Sequence, residues 1–195
     1  MKIALFGGTF DPVHNGHVKA AQSVLQFTDC SEVWFIPVYW HSLKPMEKVS
    51  DISHRKKMIE IAIKGKQGMW LVDFNENPTY TIETIQKAKK ARPENEYIWV
   101  IGSDLVQEFD SWKDAMQILR GAKVVIVPEP GFQKMQSKLL SEQKGNCVVL
   151  WNAPRVDLNS TAVRSKLVKG ADVAGLIDER VLRYIKENNL YKNNK

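Results

Sequence analysis

The sequence predicts an α/β protein with a doubly wound, mostly parallel sheet and helices on both of its faces. Short apolar runs alternate along the chain with segments in which apolar residues recur at helical spacing, a pattern typical of βαβ units. The runs at residues 97–101 and 123–127 are almost entirely apolar, as expected of central strands covered on both sides. No repeat or linker interrupts the alternation, so we expect one domain over residues 1–195.

The first quarter of the chain contains two strand–helix units. Residues 3–6 are an apolar run ended by two glycines, and residues 17–27 have helical periodicity. Residues 32–38 contain Val-Trp-Phe-Ile and predict the second strand. Residues 51–63 place apolar side chains on one helical face, with Ser50 or Asp51 as a candidate cap.

The middle of the chain continues the alternation. Residues 69–74 predict a third strand, and residues 80–91 predict a helix that stops near Pro93. The apolar run 97–101 is the fourth strand. Residues 112–119 form a helix in this interpretation, and the run at 123–127 is the fifth strand.

The remaining elements are one strand and two helices. Residues 129–145 are polar and predict a loop plus a helix. Residues 147–151 predict the sixth strand, and residues 160–168 and 178–188 predict the last helices. Ligands of such sheets bind beyond the carboxyl ends of the strands, so residues that follow strands are the candidates for function.

Composition excludes several classes of protein. No apolar run approaches the roughly 18 residues of a membrane span, and the apolar run at the start is too short for a signal peptide. Cys30 and Cys147 have no metal-binding spacing and predict reduced thiols in a cytoplasmic protein. The net charge of +6 comes from scattered lysines, which favours a solvated surface and no nucleic-acid partner.

The segment after the first strand is typical of a phosphate site. Gly7 and Gly8 permit close backbone approach to a ligand, and the following helix directs its free amides at the same crevice. His14 and His17 flank that helix start. The segment contains neither a Walker loop nor a Gly-x-Gly-x-x-Gly motif. A zinc site would need a third ligand, and a glycine turn with two incidental histidines is the remaining alternative.

These residues carry a resemblance to a known family. His14-Asn15-Gly16-His17 resembles the His-x-Gly-His signature of the nucleotidyltransferase superfamily, and residues 7–17 resemble its nicotinate-nucleotide adenylyltransferase branch. The resemblance implies a Rossmann-like nucleotidyltransferase fold that binds ATP. It also implies nucleotide contacts from Gly7, Gly8, Thr9 and Phe10.

A second segment resembles another signature of the family, commonly Ile-Ser-Ser-Thr-x-Ile-Arg. Residues 158–164 read Leu-Asn-Ser-Thr-Ala-Val-Arg and lead into a helix. Ser160 and Thr161 suit the start of that helix, where hydroxyls and amides can bind phosphate. Arg164 can offer its paired donors to phosphate oxygens. A helix cap followed by a surface arginine is the structural alternative.

Two further segments resemble family elements that bind the acceptor and ribose. Gly102 and Asp104 follow the fourth strand, and an aspartate there can accept hydrogen bonds from ribose hydroxyls. Trp112 can stack on a pyridine ring or serve as a core residue.

Residues 80–84 resemble the Tyr-Thr-x-Asp-Thr element of the family, with glutamate in place of aspartate. Tyr80, Thr81 and Thr84 are the expected contacts to a nicotinate carboxylate. An ordinary helix cap is the alternative for any one of them.

The chain also departs from the family pattern. Residues 40–45 read Trp-His-Ser-Leu-Lys-Pro where Pro-His-Lys is usual, so Lys44 is the candidate phosphate-binding lysine despite altered spacing. Glu129 stands where an arginine is common. The changes leave the phosphate chemistry intact and affect the details of acceptor recognition.

The resemblance implies in-line attack of the nicotinate mononucleotide phosphate on the α-phosphorus of ATP, in NAD biosynthesis. His14 and His17 would donate to phosphate oxygens, while Lys44 and Arg164 would hold the triphosphate. Mg²⁺ would bridge the phosphates, without a metal site made by protein ligands.

Several alternatives stay open at this point. Nicotinamide mononucleotide is the nearest rival acceptor. Phosphopantetheine adenylyltransferases typically lack the terminal arginine of the second signature, so Arg164 argues against them. Cytidylyltransferases usually have a different second signature. A non-catalytic nucleotide sensor or nucleic-acid-binding module is supported only by the +6 charge. No membrane partner is expected. The oligomeric state stays open, and a homo-oligomer is compatible with the sequence.

Overall fold

The structure is a computed structural model that describes residues 1–39, 49–74 and 80–192. Its centre is a sheet of six parallel strands. The strands are β1 Lys2–Gly8, β2 Glu32–Pro37, β3 Met69–Leu71, β4 Glu96–Gly102, β5 Lys123–Val127 and β6 Cys147–Val149.

The order of the strands is β3-β2-β1-β4-β5-β6. Phe6 of β1 is paired with Phe35 of β2 on one side and with Val100 of β4 on the other. The chain therefore builds one half of the sheet outward from β1 through β2 to β3. It then builds the other half outward from β4 through β5 to β6. The point where this direction reverses, between the carboxyl ends of β1 and β4, is where ligands bind in open α/β sheets.

Helices connect the strands, and most begin at a residue whose side chain caps free backbone amides. The helices are α1 Asn15–Phe27, α2 Ile52–Ile63, α3 Thr81–Ala91, α4 Ala115–Gly121, α5 Lys138–Glu142, α6 Ser160–Val168 and α7 Glu179–Glu187. Asp51, Ser137, Asn159 and Asp178 accept backbone hydrogen bonds at the starts of α2, α5, α6 and α7.

The sheet separates two hydrophobic cores. Alternate residues of β1 point to opposite faces, so Ala4 and Phe6 lie in one core while Ile3 and Leu5 lie in the other. Helices α1, α2, α6 and α7 cover the first face, and α3, α4 and α5 cover the second. The predicted doubly wound architecture with helices on both faces is confirmed.

The element boundaries differ from the predicted ones in a few places. The third and sixth strands end at Leu71 and Val149, earlier than predicted, because each is an edge strand paired on only one side. The helix predicted at 112–119 lies at 115–121, since a 3₁₀ helix, Ser103–Ser111, comes before it. Within the described ranges, no helix is long and apolar enough to span a membrane.

Candidate active site

The loop between β1 and α1 lies at the reversal point of the sheet and carries the first signature. Helix α1 begins at Asn15, two residues earlier than predicted, because His14 acts as its N-cap. The Nδ1 of His14 accepts from the His17 amide at 3.3 Å, and the Nδ1 of His17 accepts from the His14 amide at 3.2 Å. The two imidazoles therefore form a reciprocal capping box, a role usually filled by Ser or Thr with Glu.

This capping arrangement fixes the chemistry of both rings. The ring centroids are 3.6 Å apart and the planes are nearly parallel at 20°. Because each Nδ1 is an acceptor, the neutral form of each ring carries its proton on Nε2. No residue in the described part of the chain bonds to either Nε2. The pair thus presents two N–H donors side by side at the start of a helix.

Burial keeps both histidines neutral in the unliganded protein. His14 is buried, and loss of solvation lowers its pKa to about 4. Loss of solvation also lowers the pKa of His17 well below its usual value, with a smaller contribution from His14. At neutral pH the rings are therefore neutral donors, and an anionic ligand would favour their protonation.

Packing explains the glycines of this loop. A Cβ at Gly7 would lie 2.6 Å from the Trp99 ring, and a Cβ at Gly8 would lie 2.9 Å from the Phe10 ring. A Cβ at Gly16 would meet the His14 ring at 2.9 Å. All three glycines thus make room for rings of the protein itself. Close approach of a ligand to the backbone of Gly7, Gly8 and Thr9 stays a prediction.

The side chain of Phe10 lies in the core, and the expected contact of Phe10 with the nucleotide stays a prediction. It is 1% exposed and lies edge-on to Phe6 and His17, with ring centroids 5.6 and 4.9 Å away. Its backbone has φ of +51°, a conformation that costs energy for a bulky residue. The Phe10 ring therefore packs against the His17 ring, and only the backbone of Phe10 is available to a ligand.

The second signature is joined directly to the first. The Ser160 hydroxyl donates to the Pro12 carbonyl at 3.0 Å, and Arg164 donates to the Asp11 carbonyl at 2.7 Å. Arg164 also lies 3.3 Å from the Thr161 hydroxyl. The structure thus brings Ser160, Thr161 and Arg164 to the histidine loop. In this arrangement the Ser160 hydroxyl donates within the protein, and its contact with phosphate stays a prediction.

Arg55 is a site residue that the sequence analysis missed. It is 2% exposed, and its guanidinium donates to the carbonyls of Ser50, Thr9 and Val38 at 2.9, 2.8 and 2.8 Å. It joins the loop after β1, the end of β2 and the start of α2. An arginine within an amphipathic helix is usually a surface residue, so no sequence signal identified Arg55 as buried.

Asp11 is a second missed residue and is 2% exposed. One carboxyl oxygen accepts from the Ser50 amide at 3.1 Å, and the other accepts from the Tyr191 hydroxyl. Asp11 therefore fixes the histidine loop to two distant parts of the chain.

A carboxyl pair lies at the end of β4 and β5. A Cβ at Gly102 would lie 2.5 Å from a carboxyl oxygen of Asp104 and 3.4 Å from one of Glu129. Loss of solvation raises the pKa of Glu129 to about 7, and the charges of Asp104 and Asp157 add to the increase. Both carboxyl groups line a cavity of about 320 Å³ at the carboxyl edge of the sheet. Asp104, the predicted ribose contact, thus has the carboxyl group of Glu129 as a neighbour.

The start of α3 contains the residues expected to contact the acceptor. Thr84 is 2% exposed and donates to the Tyr80 carbonyl at 3.3 Å, and its contact with a substrate stays a prediction. Thr81 is half-buried, and Tyr80 is exposed. Glu83 accepts from the Tyr80 amide at 3.1 Å.

Lys113 connects this helix start to Trp112. Its ammonium lies 2.8 Å from Glu83 and 4.2 Å from the centre of the Tyr80 ring. Trp112 packs on Phe109 with ring centroids 5.2 Å apart, and its Nε1 has no partner among the described residues. The structure therefore brings Trp112 and Tyr80 to the same region, and Lys113 is a cation there that the sequence analysis missed.

Lys44 lies outside the described residues. A separate cavity of about 610 Å³, lined by Lys2, Tyr97 and Lys123 among others, opens at the amino edge of the sheet, away from both signatures.

Comparison with known proteins agrees with the fold and shows the family. The cytidylyltransferase-like family model matches residues 5–166. This match covers more than half of the chain, so the protein is a member of the cytidylyltransferase-like family.

Curated relatives show which branch of the cytidylyltransferase-like family the chain belongs to. A Bacillus pumilus protein is 34% identical over 194 residues, which are 98% of both chains. A Halalkalibacterium halodurans protein is 33% identical over 197 residues, or 99% of this chain and 92% of the relative. Both are named "Probable nicotinate-nucleotide adenylyltransferase". Within the larger family, this chain belongs to the nicotinate-nucleotide adenylyltransferase family.

Solved structures show the same fold. The nicotinic acid mononucleotide adenylyltransferase of Plasmodium falciparum, complexed with NaAD, superposes with a TM-score of 0.81 at 19% identity. The alignment covers 97% of both chains. The same enzyme complexed with APC gives a TM-score of 0.80.

Proposed function

We propose that this protein transfers the adenylyl group of ATP to nicotinate mononucleotide, giving nicotinate adenine dinucleotide and pyrophosphate for NAD biosynthesis in the cytoplasm. The observation that carries the proposal is the reciprocal histidine cap at the start of α1, which presents two Nε2–H donors at the reversal point of the sheet. The names of the curated relatives, and the NaAD bound to a structural neighbour, support this substrate choice.

The proposed step needs alignment and neutralisation of charge, and it forms no covalent enzyme intermediate. A phosphate oxygen of the mononucleotide forms a bond to the α-phosphorus of ATP, while the bond from that phosphorus to the bridging oxygen breaks. The electron pair leaves with pyrophosphate. His14 and His17 would donate to the oxygens of the transferring phosphoryl group. Arg164 and Lys44 would hold the triphosphate.

Mg²⁺ would enter with the nucleotide. Within the described ranges, no three His, Cys, Asp or Glu side chains converge as metal ligands. The cation would therefore be held mainly by triphosphate oxygens and water, as is common for Mg²⁺. It would neutralise charge on the leaving pyrophosphate.

The proposed acceptor pocket lies at the start of α3. The free amides of the helix and its positive dipole end favour a carboxylate, and the Trp112 ring would stack on the pyridine. Lys113 adds a positive charge beside Tyr80, although its ion pair with Glu83 offsets part of it. These features favour nicotinate over the uncharged nicotinamide. Asp104 would accept from a ribose hydroxyl.

Pyrophosphate release with ATP and Mg²⁺ tests the proposal, with nicotinate mononucleotide and nicotinamide mononucleotide compared at equal concentration. We expect fast release with the first and slow release with the second. Equal or reversed rates would retain adenylyl transfer and overturn the choice of acceptor. Absence of release with both acceptors would contradict the proposed reaction.

A further inference from the structure

The loop that carries His14 and His17 is held largely by residues from the last part of the described chain. Ser160 and Arg164 donate to the carbonyls of Pro12 and Asp11. The amide and side chain of Asn15 donate to the carbonyls of Leu176 and Gly175, both at 2.8 Å. These contacts all use backbone carbonyls as acceptors.

Tyr191 makes a different kind of contact, because its hydroxyl donates to the buried carboxyl group of Asp11. The turn after α7 directs it there. Asn189 has φ of +54°, and the Leu190 amide donates to the Ile185 carbonyl at 3.0 Å, which together reverse the chain at the helix end. Tyr191 also has positive φ, at +57°. This backbone path brings the Tyr191 hydroxyl to Asp11.

The surroundings keep this hydroxyl a donor. Burial raises the pKa of Tyr191 above its usual range, and the adjacent Asp11 raises it further. The other oxygen of Asp11 accepts from the Ser50 amide at 3.1 Å. Loss of the Tyr191 proton donor would leave one oxygen of a buried carboxyl group unsatisfied, three residues before His14.

We propose that Tyr191 is a positioning residue for adenylyl transfer, which acts through Asp11 to set the histidine loop against Arg164. Tyr191 touches neither histidine. Its effect passes through the backbone of Asp11, whose carbonyl accepts from Arg164. Displacement of reacting groups by about 1 Å can cost about 100-fold in rate, so a loosened loop should reduce kcat more than substrate binding.

The test is Tyr191→Phe in the full chain, with Tyr184→Phe as the matched control. Tyr184 lies on α7, and its hydroxyl bonds to His54 of α2 at 2.8 Å, with no contact to the histidine loop. We expect Tyr191→Phe to lower kcat about tenfold or more with a smaller change in KM for ATP. Tyr184→Phe should keep kcat near the original value. Equal kcat in all three proteins would overturn the positioning role.

The kinetic readout rests on the proposed function, so hydrogen exchange provides a readout that does not. Amides of residues 14–17 should exchange faster in Tyr191→Phe than in Tyr184→Phe, without any substrate present. Unchanged exchange would contradict the role of Tyr191. Faster exchange in a protein without transferase activity would uphold the contact and refute the proposed function instead.

A second variant covers the case in which Tyr191→Phe does not fold. Asp11→Asn keeps an acceptor for the Tyr191 hydroxyl and removes the charge from the same contact. We expect Asp11→Asn to lower kcat several-fold relative to the original protein and to speed amide exchange at residues 14–17. Where Tyr191→Phe does fold, the double variant should lose less than the product of the two single losses, because both act on one contact. Asp11→Asn with unchanged kcat and unchanged exchange would overturn the proposal.

Discussion

At the scale of single residues, His14 and His17 use one ring nitrogen each for structure and leave the other for chemistry. The Nδ1 atoms cap α1, and the Phe10 ring lies edge-on to His17 at 4.9 Å. Both rings are thereby fixed before any ligand arrives. Preorganised donors need no reorganisation during the reaction, which is the main source of electrostatic stabilisation in enzymes.

The first residue-scale prediction concerns His17→Ala. We expect kcat to fall about 100-fold or more, because one preorganised donor to the transferring phosphoryl group is lost. Stability should fall by only about 1 kcal/mol, since the lost cap bond is a single hydrogen bond. Steady-state pyrophosphate release and thermal unfolding measure the two effects.

The matched control for this prediction is His54→Ala. His54 loses one hydrogen bond, to Tyr184, and lies on α2 rather than in the loop. It should lose a similar amount of stability and retain its rate. A near-normal rate for His17→Ala would exclude His17 as a phosphate donor.

The sequence alone could not decide the role of a residue type that suits both a core and a site. Phe10 and Thr84 stand in the expected segments, but both side chains are buried. An aromatic ring or a threonine hydroxyl can serve either role. Which role it has depends on its neighbours in the fold. Gly8, for example, leaves the space that the Phe10 ring occupies. This information lies in tertiary contacts and not in the local pattern.

At the scale of elements, Arg55 of α2 holds together three backbone segments around the site. It satisfies the carbonyls of Thr9, Val38 and Ser50, which follow β1, follow β2 and precede α2. The ends of the connection that contains Lys44 are thus fixed by the same guanidinium that fixes the histidine loop. Burial lowers the pKa of Arg55, and the nearby charge of Asp11 opposes this effect.

We expect Arg55→Met to lower the free energy of unfolding by about 3–5 kcal/mol, because it leaves three partly buried carbonyls without their donor and removes the positive charge near Asp11. Arg55→Lys should recover only part of the loss, since an ammonium lacks the planar set of donors. Urea denaturation measures both variants.

Arg183→Met is the control for Arg55, because Arg183 is an exposed arginine on α7. It should change stability by less than about 0.5 kcal/mol. If Arg55→Met lowered the free energy of unfolding as little as this control, the three hydrogen bonds to carbonyls would contribute little to stability.

At the scale of the whole molecule, the alternation of strand and helix patterns was sufficient to predict the sheet. Parallel strands need crossover helices, so regular alternation leaves few other architectures. The strand order and the 3₁₀ helix at Ser103–Ser111 were not predicted. The 3₁₀ helix buries only two apolar side chains, Val106 and Phe109, which is too few to reveal a helix from the sequence pattern. Strand order depends on which edges pair. The contacts of Asp11 with Ser50 and Tyr191 were likewise not predicted, because they join residues that are distant in sequence.

The placement of Glu129 makes global stability depend on pH. Burial, then Asp104 and Asp157, raise the pKa of Glu129 to about 7, above the roughly 4.3 of an exposed glutamate. Lys134 is a cation that lines the same cavity. Between pH of about 4.5 and 7 the folded protein binds more protons at this group than the unfolded chain does. Stability therefore falls as pH rises through this window and stays reduced above it.

Glu129→Gln should remove this loss, because the amide keeps the shape of the side chain without the ionisation. We expect the variant to have a higher Tm than the original protein at pH 8 and nearly the same Tm at pH 5, measured by thermal unfolding without nucleotide. Glu142→Gln, an exposed change on α5, should leave Tm nearly unchanged at both values. A gain that is equal at pH 5 and pH 8 would mean that packing, and not the charge of Glu129 beside Asp104, limits stability there. The absence of any gain at pH 8 would mean that the ionised carboxyl group is fully solvated or paired in the folded protein.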